Sequence, residues 1–296
     1  MKTITIAEIG INYAYGDDKK CFIQHAKDLI YQSLLAGFDY VKFQKRNPDI
    51  CVPEDQKNTL KSVPWNDEKI TYLQYKKDIE FSIDEYSELV DCANNMGIGI
   101  FSSVWDIDSV LDASKKTTRI DKFNKTSHNN GVILKIPSAL ITDTELLKIA
   151  RKHSDILMIS TGMSSEKEIE YAIKIGNPDV VFHTNSEYPS PIEDLNLNYI
   201  NHLKNKYPNI IIGYSGHDFG ISTTIATVAM GVTVIERHVT LDRNLWGSDQ
   251  LASVEPVGMY KLIKGIKELE IAMGDPYIND RIITEGEILK RKTLRK

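Results

Sequence analysis

Two lysines stand where a lysine is hard to place. Lys42 lies inside "YVKFQ" and Lys135 inside "GVILKI", both runs otherwise apolar and strand-like. Burying an unpaired ammonium costs several kcal/mol, so each must meet an anion. A structural ion pair would account for either one alone. Two of them, with Ser103, Ser138, Ser160 and Ser215 at neighbouring strand ends, point to an oxygen-rich ligand of more than one negative charge. A phosphate together with a carboxylate fits: lysines neutralise the charge, and hydroxyls and loop amides take the remaining oxygens.

Two histidines raise a second kind of chemistry. His217 ends the run "NIIIGYSGH" and His238 follows "TVIER". Neighbouring strands lie about 4.8 Å apart, so imidazoles at that level can converge on one ion at about 2.1 Å each. A pair is an incomplete ligand set, and the open positions would take water and substrate oxygen, as a catalytic ion requires. Imidazole and oxygen suit Mn²⁺, Zn²⁺ or Fe²⁺ without choosing among them. His25, His128, His153 and His202 fall in helical or loop contexts and read as packing or surface residues.

These residues need a scaffold that gathers strand ends. Eight short apolar runs alternate with amphipathic stretches: residues 3–9, 40–44, 97–103, 131–136, 156–160, 180–184, 209–214 and 233–237. Helical patterns fill 27–37, 82–97, 142–153, 164–176, 194–208 and 219–231. Ser82, Thr142 and Ser164 read as N-caps, and Gly37, Gly97, Gly176 and Gly231 as left-handed stops. Continuously apolar strands suit a parallel sheet covered by helices. Eight β-then-α units predict a single-domain α/β fold, the (β/α)8 TIM barrel, over residues 1–275, with 276–296 a tail or linker. A doubly wound open sheet is the competitor, without a glycine-rich fingerprint after the first strand to support it. In a barrel, chemistry collects at the C-terminal strand ends. Here every strand delivers a polar group to that rim, from Glu8 on the first to Glu236 and His238 on the eighth.

Two segments depart from the alternation. Residues 45–81 are too long for a simple βα loop and are expected to cover a cavity mouth. Their basic start, "QKRNPD", reads as solvent-exposed rather than as a sugar-phosphate contact. Residues 115–130, "KKTTRIDKFNKTSHNN", read as a surface excursion. The terminal "KRKTLRK" reads as a solvated tail.

The chain has 296 residues, 42% hydrophobic and 26% charged, as an ordinary soluble globular protein has. A net charge of −5 supplies no field to draw in nucleic acid or anionic membrane, so neither is an expected partner. Three widely spaced cysteines form neither a disulfide framework nor a zinc site, which makes a reducing cytoplasm the simpler assignment. The N-terminus has no signal-peptide core, and no apolar run approaches the ~18 residues of a membrane helix. Barrels often pair through their helices, which makes a homodimer the default expectation.

The segments "IAEIGIN", "YVKFQ", "KIPSALITDTELL", "ISTGMS", "HTNSEYPSP", "IGYSGHD" and "IERHVTLDRNLWGSDQ" occur in the order seen in the N-acetylneuraminate (sialic acid) synthase family. That family includes legionaminic and pseudaminic acid synthases, and the chain resembles it over residues 4 to about 270. The resemblance implies a (β/α)8 barrel transferase that condenses phosphoenolpyruvate with an N-acylated amino-hexose, of the N-acetylmannosamine kind or its phosphate, to a nonulosonic acid and phosphate. It implies a phosphoenolpyruvate pocket of Lys42, Ser103, Lys135, Ser138, Ser160, Ser186 and Ser215. It puts a divalent metal on His217 and His238, Mn²⁺ first, with Mg²⁺, Zn²⁺ and Fe²⁺ left open. Sugar contacts fall on Glu8, Gln44, Tyr188 and Asp249. Glu8, Lys42 and Lys135 are the expected catalytic residues, Glu8 for proton handling and the lysines for charge stabilisation. Glu236 and Arg237 are read as a supporting layer.

Three departures accompany the resemblance. Tyr13 stands where the family commonly has a histidine, and Leu140 where it often has a glutamate for the sugar's amide end. A C-terminal antifreeze-like domain, common in bacterial members, is not expected within this sequence. The competing readings are another divalent-metal barrel enzyme, aldolase or hydrolase, and a non-catalytic relative that binds the ligand.

Overall fold

The computed structural model describes residues 2–123, 128–275 and 277–295. Among these residues eight parallel strands close into a barrel. They are β1 Ile4–Gly10, β2 Tyr40–Lys45, β3 Gly99–Val104, β4 Ile133–Ile136, β5 Ile156–Ser160, β6 Val180–His183, β7 Ile211–Gly216 and β8 Val234–His238. Neighbours in the ring are neighbours in the chain, and β8 returns to β1 with Ile4 opposite Val234 and Glu8 opposite His238. That last pairing removes both sheet edges, so the open doubly wound alternative is not what forms.

Helices follow each strand: α1 Lys19–Ala36, α2 Ile83–Met96, α3 Ile107–Ala113, α4 Thr144–Lys152, α5 Glu166–Gly176, α6 Tyr199–Lys206, α7 Ser222–Ala229 and α8 Pro256–Met273. Ser82 caps α2 in a reciprocal box with Glu85, as expected. Two other caps fall one residue later than expected. Asp143 rather than Thr142 accepts the first free amides of α4, and Ser165 rather than Ser164 starts α5 with Glu168. Gly176 still belongs to α5, and Asn177 takes the left-handed position (φ 42°), which asparagine tolerates.

Period-two alternation sorts each strand. One parity faces the helices: Val41, Phe43, Leu134, Ile136, Leu157, Ile159, Val181 and Ile235 pack there in the main core. The other parity faces the barrel axis, where Ile4, Ile6, Tyr40, Phe101, Ile133, Ile156, Met158, Val180, Phe182 and Val234 form a separate apolar cluster. Two residues further along the same strands stand Glu8, Lys42, Ser103, Lys135, Ser160 and Glu236, all buried. The interior therefore changes from hydrocarbon to charge within one step of the pleat.

The segment expected on the surface before β4 is in part an internal plug. Thr118–Arg119 pairs with Asn130–Gly131, and Ile120 and Phe123 join the axial cluster at the N-terminal end. The Tyr40 hydroxyl donates to the Arg119 carbonyl at 2.7 Å and ties the plug to β2. Residues 124–127 of this segment lie outside the described residues.

The long insertion folds over the opposite end. It contains a hairpin, Leu60–Val63 with Asn66–Thr71, and a helix, Tyr72–Ile79. Trp65 and Tyr75 set their rings edge-on against Trp246 of the loop after β8, with centroids 5.2 and 5.4 Å away. Beyond α8, the helix Glu285–Leu294 has no buried residue. No described helix is long and apolar enough to cross a membrane.

Candidate active site

Four charged side chains meet at the centre of the C-terminal mouth. Lys42 Nζ lies 2.6 Å from Glu8 Oε2 and 3.7 Å from Glu236 Oε2. Lys135 Nζ donates to Glu236 Oε1 at 2.6 Å and sits 4.5 Å over the Phe182 ring. This corrects the argument that the lysines need an external anion: each already faces a protein carboxylate. The site is a neutral tetrad of two ammonium and two carboxylate groups. Buried pairs of this kind hold when each charge is answered, and are costly when one member is removed. Burial lowers Lys135 to about 8, with Glu236 opposing the fall and Lys42 adding to it. Burial alone would raise the Glu236 carboxyl, but Lys135 and then Lys42 outweigh it and hold it below the ordinary carboxylate range.

Glu236 is the residue that sequence reasoning misplaced. It lines the cavity between the two lysines and also accepts from the Ser215 hydroxyl at 3.1 Å. Its parity with His238 on β8 was the signal, since residues two apart share a face. Arg237 has the other parity and is the supporting residue expected. Its guanidinium donates outward to the Gly220 and Asp218 carbonyls at 2.7 and 2.6 Å and to the Thr224 hydroxyl at 2.8 Å. Ser102, Thr161 and His183 also turn away from the mouth, to Tyr86, the Phe182 carbonyl and the Leu195 carbonyl.

Hydroxyls surround the tetrad in a cavity of about 180 Å³. Ser103 accepts from Lys42 at 2.6 Å. The buried Ser160 hydroxyl has no hydrogen-bond partner among the described residues. Ser138 accepts from the Gly162 amide at 3.1 Å, and Ser186 lies beside it. A Cβ at Gly162 would lie 2.0 Å from Ser186 Oγ and 2.9 Å from Ser138 Oγ, so any larger residue would displace these two hydroxyls. Glu8, Lys42, Gln44, Ser103, Lys135, Ser138, Ser160, Ser186, Tyr188, Ser215, His217 and His238 line this one cavity. Asp249 does not. It borders an adjoining chamber, with its Oδ2 3.8 Å from His238 Nδ1.

The two imidazoles face each other across the cavity wall, ring centroids 5.3 Å apart. His217 Nδ1 lies 2.5 Å from the Asn185 carbonyl, which can only accept, so that nitrogen carries the proton. Its Nε2 lone pair is left toward the cavity, where the Tyr188 hydroxyl approaches to 3.2 Å. Burial first, and the neighbouring His238 second, hold the His217 pKa well below the ordinary imidazole value. Among the described residues the buried His238 Nδ1 has no hydrogen-bond partner. A fixed tautomer on one ring and an unanswered nitrogen on the other fit a divalent ion. Among the described residues no cluster of three or more His, Cys, Asp or Glu gathers to complete its shell.

The second chamber, about 600 Å³, opens outward from the first and shares Gln44, Trp105, Ala139 and Tyr188 with it. The insertion supplies Val52, Pro53, Tyr72 and Lys76 to its wall, so the expected cover over the mouth is present. Leu140 lines it as well, whereas Tyr13 does not: its hydroxyl donates to the Ile79 carbonyl at 2.8 Å and its ring stacks on Phe81. The two basic residues of "QKRNPD", expected in solvent, are buried: Lys45 and Arg46 are each 8% exposed. Lys45 pairs with Glu80 at 2.8 Å and donates to the Phe81 carbonyl, while Arg46 turns into the chamber.

A closed parallel barrel with charges, hydroxyls and two imidazoles at its C-terminal mouth defines a barrel enzyme that handles a small, anionic, oxygen-rich substrate. The chain belongs to the NeuB family, whose model matches residues 29–277. It is 34% identical over 93% of its length to the N,N'-diacetyllegionaminic acid synthase of Campylobacter jejuni, covering 78% of that protein. It is also 34% identical to the N-acetylneuraminate-9-phosphate synthase of Mus musculus, over 92% of this chain and 71% of that one. The crystal structure of the N-acetylneuraminic acid (sialic acid) synthetase of Leptospira borgpetersenii superimposes with a TM-score of 0.79 at 27% identity, over 100% of this chain and 93% of that one. The resemblance read from the sequence segments is thereby shown, and the rival readings are not favoured.

Proposed function

We propose that this enzyme joins phosphoenolpyruvate to an N-acyl amino-hexose of the N-acetylmannosamine type, forming a nonulosonic acid and inorganic phosphate. One observation carries the reading: the Lys42–Glu8–Glu236–Lys135 tetrad lies in one cavity with the serine ring and the two imidazoles. Similar proteins named N,N'-diacetyllegionaminic acid synthase, N-acetylneuraminate-9-phosphate synthase and pseudaminic acid synthase support it.

Phosphoenolpyruvate lies against Lys42 and Lys135, with Ser103, Ser138, Ser160, Ser186 and Ser215 taking its oxygens. Carbon three bonds to the acceptor's carbonyl carbon, whose oxygen takes a proton. Water adds at carbon two and gives up one proton; the C–O bond to phosphate then breaks, the new hydroxyl passes its remaining proton to the departing phosphate, and carbon two becomes the keto carbon. Because the lysines are fixed before substrate arrives, they stabilise developing charge without reorganising. Glu8, held by Lys42 and Gln44, handles the proton at the acceptor oxygen. Glu236 keeps Lys135 aimed into the cavity. Gln44, Tyr188 and Asp249 contact the sugar.

His217 and His238 would hold a divalent ion, Mn²⁺ first, which supplies Lewis-acid polarisation of the acceptor carbonyl when bound. Residues 1–275 are the proposed catalytic unit and 276–296 its tail. A reducing cytoplasm is the proposed compartment, supported by Cys21, Cys51 and Cys92 all being free. A homodimer is the proposed assembly, on the general habit of barrels.

The test is a panel of N-acyl hexosamines and their 6-phosphates, incubated with phosphoenolpyruvate and Mn²⁺ and read by mass spectrometry and phosphate release. A nine-carbon 2-keto acid formed in step with phosphate is expected. No phosphate release with any aldose would sink the reading.

A further inference from the structure

Two walls of the outer chamber come from segments far apart in the chain. The insertion supplies Val52, Pro53, Tyr72 and Lys76, and the loop after β8 supplies Ser248 and Asp249. Asp249 is the sugar contact proposed above, and its Oδ2 lies 3.8 Å from His238 Nδ1. The hydrogen bond its carboxylate accepts comes from the adjacent Ser248 hydroxyl, at 2.7 Å. A neighbour on the same loop cannot fix the loop, so the place of this carboxylate follows from the course of the backbone.

Two sets of contacts set that course. On the barrel side Gln250 donates to the Asn12 carbonyl at 3.2 Å and to the Trp246 carbonyl at 3.3 Å. The Ser253 hydroxyl donates to the Asp249 carbonyl at 2.6 Å. On the outer side the Trp246 ring enters a box that the insertion builds. Trp65 and Tyr75 meet it edge-on, and Lys61 Nζ lies 5.4 Å from its centre. The same ammonium lies 4.7 Å from the Tyr75 ring centre and 5.8 Å from that of Tyr72. One cation is thus shared by two rings of the insertion and one of the loop, and draws them together.

The box is tied to the barrel and to the chamber. Trp65 donates from Nε1 to Asp78 at 3.0 Å and packs edge-on on Phe22 of α1, centroids 5.0 Å apart. Tyr72 touches Lys61 and also lines the chamber. Trp246 stands three residues before Asp249, with Gly247 between them at φ +147°. That conformation suits glycine, and it turns the chain from the box to the chamber mouth.

We propose that Lys61 and Trp246 are positioning residues: they clasp the loop after β8 to the insertion and so hold Asp249 where the acceptor sugar meets it. This rests on the condensing reading above and adds what aligns its acceptor end. A contact fixed beforehand leaves no ordering cost to fall on binding, and a small displacement of it is felt strongly in the reaction.

The test joins kinetics to hydrogen exchange on W246A, W246F, K61M and K61R. With N-acetylmannosamine or its 6-phosphate, W246A should raise the acceptor KM about tenfold and leave the KM for phosphoenolpyruvate within about twofold. K61M should raise the acceptor KM about threefold, while K61R and W246F stay near the wild type. Exchange of amides 245–250 should quicken about tenfold in W246A and less in K61M. An acceptor KM that W246A leaves within about twofold, or a rise shared equally by both substrates, overturns the proposal. So does unchanged exchange of the loop. K61R no better than K61M removes the cation from the clasp. If no sugar turns over, exchange still decides: a loop loosened by W246A and K61M keeps the clasp while the condensing reading falls.

Discussion

The two ends of the barrel's interior are carried by the same strands and differ completely. At the N-terminal end Ile6, Tyr40, Phe101, Ile133, Met158 and Val234 fill the axis, with Ile120 and Phe123 packed on them. Two residues further, Glu8, Lys42, Ser103, Lys135, Ser160 and Glu236 occupy the same strands and face. The apolar end supplies the rigidity, since side chains there interlock at crystal-like density. The charged end is stable because its members answer one another, and that pairing depends on strand positions fixed by the packing below. A change at one end should therefore cost stability alone, and a change at the other should cost activity first.

The largest effect is expected from Lys135→Met. Losing that charge from a preorganised site should reduce turnover by about 10³-fold or more. It also leaves Glu236 with Lys42 at 3.7 Å as its nearest cation, and breaking a buried pair costs about 3–5 kcal/mol. Adding Glu236→Gln should recover much of that stability and none of the turnover. Near-normal phosphate release by Lys135→Met would contradict the role assigned to the tetrad. A double variant no more stable than the single would show that the pair is not what holds the centre.

Phe101→Ala tests the opposite end. The ring is 3% exposed and contacts Tyr40 edge-on at 5.9 Å. Its loss should lower unfolding free energy by about 3–5 kcal/mol, read by denaturant titration. The folded fraction should keep a kcat close to that of the wild type. A large fall in kcat would mean that the two ends are not separable.

His238→Ala is expected to act on the metal more than on the fold. Calorimetry should show Mn²⁺ affinity lowered at least about 100-fold, more than an outer-layer change usually costs. Unchanged affinity, or undiminished activity under strict chelation, would remove the imidazole pair from any role in holding an ion.

The apolar and charged ends were not equally legible in the sequence. The strands could be read because their apolar runs are short and evenly spaced, and all eight form where expected. Lys42 and Lys135 stood out because a charge inside such a run has few explanations. Glu236 did not, because "ERH" looks like any strand reaching solvent, and its pairing with Lys135 crosses the barrel between residues that no local pattern connects. Ile120 and Phe123 were hidden by their polar neighbours. Arg46 and Lys76 were hidden differently: their burial depends on how the insertion folds over the mouth, which periodicity does not specify.

The smallest expected effect is a pH dependence, and it separates the two ends most finely. His217 is held neutral well below the ordinary imidazole range, first by burial and then by His238, so it should add no activity limb near neutrality. Lys135 should add an alkaline one, because burial brings it to about 8 against Glu236 and with help from Lys42. Above that value the ammonium loses its proton, Glu236 leaves a net negative charge in the cavity, and a trianionic substrate is repelled. The kcat/KM for phosphoenolpyruvate should then fall about tenfold per pH unit. Stability should move the other way. Between about 8 and the ordinary lysine value of 10.5 the unfolded chain binds more protons at this residue than the folded one, so its contribution to stability rises with pH. The stability difference between the wild type and Lys135→Met should widen across that window while activity declines. A kcat/KM profile flat to about pH 9.5 would mean that Lys135 keeps its proton, and that Glu236 protects it more strongly than burial weakens it.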